Sequence, residues 1–370
     1  MLRLTREGCA GRRSALLARA DVEAAVVINP RHIQYLSGFF ITPFLLNAWG
    51  LSFLVIDRGE STLVVPEGLA AAASAAHVNH VESFRSYDGA TLPGRDPHAG
   101  ALAELDRRLE AFRGRRVGIE TGWFPFGVAL DRTVDLAPVL HDLRRVKEAD
   151  ELALIREALQ VTEAGHRAGR EVIRPGITEL DLYAAIHAAM VTTAGGPVLP
   201  LGDFVSGERA EQQGGPPTSR RLEAGELMII DLFPLVNGYR GDNTATLAVD
   251  RTPTEAQRTV ESALTEAMAA GASLLRPGRR ASEVYGAVRD QLASRGLAGG
   301  FPHHAGHGLG LGHPEAPFFV PGSDEVLRAG EVVTLEPGWY GKGTGARIEH
   351  DFLVTDVGPV QLSHHRTSFA

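Results

Sequence analysis

Two stretches of this chain join apolar, β-prone arms through Gly-rich turns, and each carries a pair of acids on those arms. The first runs from Met228 to Thr246, with Asp231 and Asp242 on either side of an Asn237-Gly238 turn. The second runs from Val333 to Glu349, with Glu336 and Glu349 flanking a segment that holds four glycines. Apolar arms around such turns are the signature of β-hairpins. Asp231 and Asp242 are 11 residues apart, and Glu336 and Glu349 are 13 apart. Across an even-numbered hairpin loop, residues an odd distance apart share one face. Each hairpin therefore aims two carboxylates at one side. Four acids gathered on apolar strands repel one another severely unless cations lie between them. A metal site is the simplest account.

A histidine between the hairpins completes a ligand set. The segment from Phe301 to Pro317 contains His303, His304, His307 and His313, and seven of the chain's 14 histidines lie from residue 303 onward. Four carboxylates and one imidazole form a hard, oxygen-rich set suited to Mn²⁺, Fe²⁺, Co²⁺ or Zn²⁺, and four acids are too many for one such ion. Two ions sharing bridging carboxylates would neutralise them and could activate a water between them. The plain alternative makes Asp231 and Asp242 turn acids, leaves His307 in a Gly-rich loop and solvates both glutamates. It is the better account of any one residue alone and a poor account of all five together.

Length and composition fit a soluble enzyme. With 370 residues the chain can build two domains with substantial cores. A net charge of −8 argues against nucleic acid or an anionic membrane as partner. The amino terminus lacks the apolar run of a signal peptide, and no stretch reaches the length of a membrane span. The single cysteine, Cys9, cannot form an intrachain disulfide, which points to a reducing cytoplasm.

The chain divides near residue 145, into domains expected at 1–142 and 143–370. In the first, 22–29, 51–57, 61–65 and 116–120 read as strands, and 70–77 and 101–112 as helices. This alternation implies an α/β layer, and no nucleotide fingerprint accompanies it: the segments at Gly94 and Gly114 are too short for phosphate loops. His77, His80 and His98 read as surface residues. The apolar run 39–46 with Trp49 reads as core ahead of dimer contact. In the second domain, helices are expected over 144–163, 178–191, 254–275 and 282–294. Pro175-Gly176 and Pro277-Gly278 each separate two helices and precede an acidic hairpin. The order helix, Pro-Gly, helix, hairpin thus occurs twice, which hints at internal duplication without a detectable sequence repeat.

The five-residue constellation resembles the pita-bread metallopeptidases, the family of Xaa-Pro aminopeptidases, prolidases and creatinase. The family's ligands match Asp231, Asp242, His307 in Gly-His-Gly-Leu-Gly-Leu, Glu336 in Leu-Glu-Pro-Gly, and Glu349 in Arg-Ile-Glu. The segments 29–38 and 145–152 also resemble the prolidase branch, so the likeness covers nearly the whole chain. It implies a fold of mixed α/β (α+β) class: a small creatinase-like amino domain followed by a catalytic domain with a pseudo-twofold pair of acidic hairpins. It further implies two divalent ions, with Mn²⁺ first among Mn²⁺, Co²⁺, Fe²⁺ and Zn²⁺, bridged by Asp242 and Glu349. Asp231 would complete one ion, and His307 with Glu336 the other. Glu336 would take the proton of a bridging water that attacks a scissile carbonyl. His303 would line the substrate site, and His313 could reach the same space. Arg347 would either hold a substrate carboxylate or partner one of the acidic ligands. A homodimer is the usual family assembly. His304 has no family match and is expected at the surface.

Three departures from the family pattern shape the functional expectation. The family carries a histidine 17 residues before its first aspartate, and Gly214 stands there. The family's His-Glu-x-Pro is Pro314-Glu315-Ala316-Pro317, with His313 one place early. The aspartate after the last glutamate is His350, and an arginine of the family is Ala245. The leading expectation is a dinuclear-metal hydrolase that cleaves short Xaa-Pro peptides, with the space at Gly214 open to water or a new substrate group. The alternatives are a non-peptidase enzyme on the same cage, a small-molecule hydrolase or lyase, and a metal-binding protein that holds peptides without catalysis.

Overall fold

A computed structural model describes residues 3–43, 51–86, 98–123 and 132–370. The chain divides into two compact units, Met1–Arg144 and Arg145–Ala370.

The first unit opens with helix α1 (Arg6–Ala20), capped by Thr5, whose Oγ1 accepts from Gly8 N at 3.1 Å. Sequence periodicity missed this helix because its buried face includes Arg12, lying 5.0 Å from the Tyr35 ring centroid, as well as Cys9 and Leu16. Strand β1 (Ala24–Val27) follows, then α2 (Pro30–Ser37), which starts on a proline at its first turn and ends at Gly38 in the left-handed region. Next come β2 (Phe53–Asp57), β3 (Glu60–Pro66), a single turn α3 (Ala70–Ala73), β4 (His80–Phe84), α4 (Ala99–Glu110), β5 (Val117–Ile119), β6 (Thr133–Asp135) and α5 (Ala137–Arg145). The strands form one mixed sheet in the order β4-β3-β2-β1-β5-β6. Helix α3 is shorter than the expected 70–77. His77, expected at the surface, is half-buried, with Nε2 2.8 Å from Leu4 O. Phe39 is buried, whereas 44–50 and the segment around Gly94 lie outside the described residues.

The second unit repeats one arrangement. Helix α6 (Ala149–Val172) and α7 (Glu179–Ala194) are joined through Gly176 at φ 90°. They pack on β7 (Gly202–Ser206), β8 (Leu227–Leu232) and β11 (Asn243–Ala248), ordered β11-β8-β7, through a core that includes Ile186, Met190, Phe204 and Ile230. The short β9 (Leu235–Val236) and β10 (Tyr239–Arg240) extend the β8–β11 hairpin to its Asn237-Gly238 tip. Both tip residues have positive φ, as a two-residue type I′ turn requires. Helix α8 (Glu255–Ala272) and α9 (Ala281–Ser294), joined through Gly278 at φ 86°, form the second pair. Their core includes Leu264, Val288, Leu335 and Phe352. It covers a sheet of β12 (His307–Gly308), β13 (Glu315–Phe318), β14 (Val332–Leu335), β17 (His350–Thr355) and β18 (Gly358–Gln361), ordered β13-β12-β14-β17-β18. The ribbon β15 (Gly338–Gly341) and β16 (Thr344–Arg347) extends the β14–β17 hairpin. Among the described residues, no helix is long and apolar enough to cross a membrane.

Each acidic hairpin is thus two ladders in one register with a break between them. In the second, β14–β17 pairs Leu335 with His350 and β15–β16 pairs Gly338 with Arg347, which sets Glu336 opposite Glu349 at the break. In the first, Asn243 pairs with Leu232 and Arg240 with Leu235, so Asp242 falls opposite Phe233, two residues from the Thr244 that faces Asp231. Pro234 and Pro337 sit at the two breaks and bring no N–H to a ladder. The even loops keep both acids of each hairpin on one face.

The strand beside the first hairpin is anchored by Glu179, in the first turn of α7. Its carboxylate is fully buried and accepts from Ser206 N (3.1 Å), Ser206 Oγ (2.7 Å), Thr218 N (2.9 Å) and Thr218 Oγ1 (2.8 Å), and it pairs with Arg209. Glu179→Ala strands these donors and the Arg209 charge, a loss of about 3–5 kcal/mol for a broken buried pair. Thermal unfolding is expected to report a large drop in midpoint, whereas replacing the exposed Arg107 should shift stability by no more than about 0.5 kcal/mol.

Candidate metal centre

The second unit gathers all five expected ligands around one cavity of about 270 Å³. Asp231 is the penultimate residue of β8, Asp242 precedes β11, His307 begins β12, and Glu336 and Glu349 face each other across the second hairpin's break. Asp231, Asp242 and Glu349 each bring an oxygen within 4.8 Å of the others. His307 Nε2 lies 3.3 Å from Asp242 Oδ2 and 3.5 Å from Glu336 Oε1. All five are at most 7% exposed. Among the described residues, the buried Asp231 Oδ1 and Glu336 Oε1 accept no hydrogen bond. Unsatisfied carboxylate oxygens in a buried cluster fit a cation.

Protonation follows from that crowding. Burial pushes Glu336 and Glu349 well above the usual carboxylate range, and their acidic neighbours add to the shift. Burial likewise raises Asp231 to about 6, although Arg347 pulls it down. Burial drives Asp242 upward too, but His313 and His307 outweigh it and leave Asp242 below its ordinary value. Burial lowers His307 to about 4. Its Nδ1 lies 2.9 Å from Gly308 O, a group that can only accept, so the proton sits on Nδ1 and the Nε2 lone pair faces the carboxylates.

The remaining expected site residues also line the cavity. His313 reaches the site despite its shifted place in sequence because it lies in a loop before β13, where a one-residue offset does not reverse the side chain. Its ring stacks on Phe233 at 4.4 Å, and its Nε2 lies 2.8 Å from Asp242 Oδ2. Burial lowers its pKa, yet Asp242 prevails and raises it. Both ring nitrogens of His303 are engaged, Nδ1 with His304 O (2.7 Å) and Nε2 with Tyr340 Oη (3.1 Å). Arg347 is 5% exposed and committed on every nitrogen. It donates from Nη2 to Asp231 Oδ2 (2.7 Å), from Nη1 to Gln213 O (2.8 Å) and Tyr340 Oη (3.0 Å), and from Nε to Thr244 Oγ1 (3.3 Å).

Two features correct the sequence reading. His304 is not a surface residue: it lines the cavity, its Nδ1 3.4 Å from Glu336 Oε1, and it joins His307 and Glu336 in a second potential ligand triple. The concentration of histidines was the one signal that pointed to it. The space at Gly214 is not open either. A Cβ there would lie 2.7 Å from Asp203 Cγ and 2.9 Å from Asp203 Oδ1, so Asp203 fills the place that an imidazole would enter. Asp203 was missed because it lies 28 residues before Asp231 in sequence, while the β7–β8 ladder sets the two directly opposite. Of the other departures, Ala245 is packed in the apolar core, and His350 lies 4.6 Å from the His365 ring and 3.1 Å from Ser363 Oγ.

Comparison with known proteins agrees with this geometry. The Creatinase/Prolidase N-terminal domain matches residues 12–146, and metallopeptidase family M24 matches residues 153–356. The Xaa-Pro dipeptidase of Pyrococcus furiosus is 28% identical over 354 residues, covering 93% of this chain and 94% of the relative. The probable dipeptidase PepE of Mycobacterium bovis is 31% identical over 374 residues, covering 95% and 94%. The crystal structure of the prolidase from Pyrococcus horikoshii superposes with a TM-score of 0.82 at 25% identity, over 98% of this chain and 99% of that one. With both its halves matched and its paired acidic hairpins in place, the chain belongs to metallopeptidase family M24 and carries a creatinase/prolidase-type amino domain.

Proposed function

We propose that this protein hydrolyses short Xaa-Pro peptides, using two divalent ions held by Asp231, Asp242, His307, Glu336 and Glu349. The observation that carries the reading is the convergence of four buried carboxylates, two of them with oxygens that accept no hydrogen bond among the described residues. A pair of divalent ions balances four carboxylates in charge, and the oxygen-rich donor set suits Mn²⁺ ahead of Co²⁺, Fe²⁺ or Zn²⁺. In this reading Asp242 and Glu349 would be shared by the pair, Asp231 would serve one ion, and His307 with Glu336 the other. Bound there, the ions supply Lewis acidity toward a carbonyl and make a water acidic near neutral pH.

The chain's own groups do the rest. Glu336, at the edge of the cluster, accepts the proton of the attacking water, a role worth about 10²–10⁴-fold in rate. His313, stacked on Phe233 and 2.8 Å from Asp242 Oδ2, presents an N–H to the cavity. His303, neutral and fixed by Tyr340, shapes the wall against which the peptide lies. The cavity volume supports a short peptide rather than a folded chain. The same reading carries a homodimer and a reducing cytoplasm, in keeping with a single, buried cysteine, Cys9.

Three outcomes are expected. Purified protein reconstituted with Mn²⁺ should bind about two ions per chain and cleave an Xaa-Pro dipeptide or tripeptide; full loading with no cleavage across such a panel rejects the peptidase reading. Asp242→Asn, altering a bridge, should lower metal content and erase the rise in thermal midpoint that Mn²⁺ confers, because metal binding is linked to folding. Metal binding should also release protons. The carboxyls of Asp231, Glu336 and Glu349 are pushed up, Asp231 to about 6, and hold protons below their pKa values. Affinity should therefore climb as pH rises through about 6 and further above it. Calorimetry in buffers of different ionisation enthalpy reads this directly, and a zero proton count would contradict the ligand assignment.

A further inference from the structure

Asp203 gives the cavity a character that the five ligands do not. Its side chain is 27% exposed, against 10% for Asp231, 9% for Glu336 and 2% for Asp242, so it is the carboxylate an incoming molecule meets. It is held from two sides: Oδ1 accepts from Gly215 N at 2.8 Å, and Oδ2 lies 3.3 Å from Arg347 Nη2. Glycine at 214 is what permits this placement, since any side chain there would displace the carboxylate.

Charge decides the consequence. Arg347 is the one guanidinium lining the cavity among the described residues, and hence the one permanent cation able to grip a substrate carboxylate. Every nitrogen it has is already committed within the protein, one of them between Asp231 and Asp203. Two divalent ions balance the four ligand carboxylates, and Arg347 then balances Asp203. Among the described residues that line the cavity, no permanent positive charge is then left over for a free carboxylate, and Asp203 stands ready to repel one. A hydrogen-bond donor meets the opposite reception: an acceptor oxygen, partly solvated and fixed in place.

We propose that the wall formed by Asp203, Gly214 and Arg347 makes this protein select peptides that offer an amide N–H where a dipeptide would offer its terminal carboxylate. The preferred substrates are then tripeptides, longer peptides or C-terminal amides, and free Xaa-Pro dipeptides are poor ones. The inference rests on the peptidase reading above for its choice of peptide, and it concerns the residue at the wall, not the metal pair.

The test compares two ligands of nearly identical shape, Ala-Pro and Ala-Pro amide, on the Mn²⁺-loaded full chain. Discrimination is read as kcat/KM where both are cleaved and as affinity by calorimetry where they are not. Wild-type protein should favour the amide by about tenfold or more, the scale of a like-charge contact in a partly solvated site. Asp203→Asn keeps an oxygen for Gly215 N and removes the charge, so this preference should fall several-fold, chiefly by improved handling of the free acid. An unchanged thermal midpoint in Asp203→Asn would separate that effect from misfolding. Equal handling of the two ligands by the wild type, preference for the free dipeptide, or a preference untouched by Asp203→Asn would overturn the proposal. The two readings fail separately. A tenfold gap in binding with cleavage of neither ligand upholds the wall and rejects the peptidase, whereas cleavage of both without a gap does the reverse.

Discussion

Mutual repulsion among four buried carboxylates is the constraint on which the rest of this catalytic unit depends. Asp231 lies in a strand, and Asp242, Glu336 and Glu349 lie beside strand ends, where the neighbouring strand side chains are packed in apolar cores, so the four acids can neither reach water nor spread apart. Burial of such charges costs several kcal/mol each without compensation. The protein meets part of that cost with Arg347, one of whose Nη atoms reaches Asp231 while its other nitrogens are tied to Tyr340, Gln213 and Thr244. The raised pKa values of Glu336 and Glu349 express what Arg347 leaves uncompensated, and divalent cations are the natural remedy.

Holding the acids together is the work of two threonines on β11. Thr244 Oγ1 donates to Glu349 Oε2 at 2.9 Å, while Thr244 O accepts from Glu349 N at 3.0 Å. One register step further, Thr246 Oγ1 donates to Arg347 O at 2.8 Å and accepts from Arg347 N at 2.9 Å. These bonds stitch the first hairpin to the second where their ladders break, so the two acidic pairs face a common centre. Behind each hairpin a helix pair supplies the apolar backing, α6 and α7 for the first, α8 and α9 for the second. The site is rigid because both its halves are built on sheet and helix rather than on loops.

The loop elements are where this chain has its own character. His303, His304 and His313 come from the irregular segment around β12, and Gly214 from the segment after β7. Such segments tolerate substitution because few backbone contacts depend on their side chains. A histidine-to-glycine change there would leave a hole if nothing else moved in. Asp203 occupies it from the neighbouring strand, and the character of the wall changes from imidazole to carboxylate. The four acids and His307 follow the family's motif pattern, while Gly214 departs from it and, with Asp203, gives the cavity a carboxylate wall.

By itself the sequence determined the two hairpins, with Gly-rich turns between their arms, and the common face of each acid pair, because strand periodicity and turn chemistry are local and depend only on parity. It likewise determined the doubled order of helix, Pro-Gly and helix, since glycine at 176 and 278 provides the left-handed turn that each connection needs. It did not reveal helix α1, whose buried face carries Arg12 and so breaks the apolar stripe by which helices are read. Tertiary structure alone decided which polar groups meet across distant segments. His304 enters the cavity, Asp203 stands opposite Asp231, and Arg347 is exhausted by partners from four separate segments. None of these pairings has a local signal, because each depends on strand register and on the seam between the hairpins, which exist only once the chain has folded.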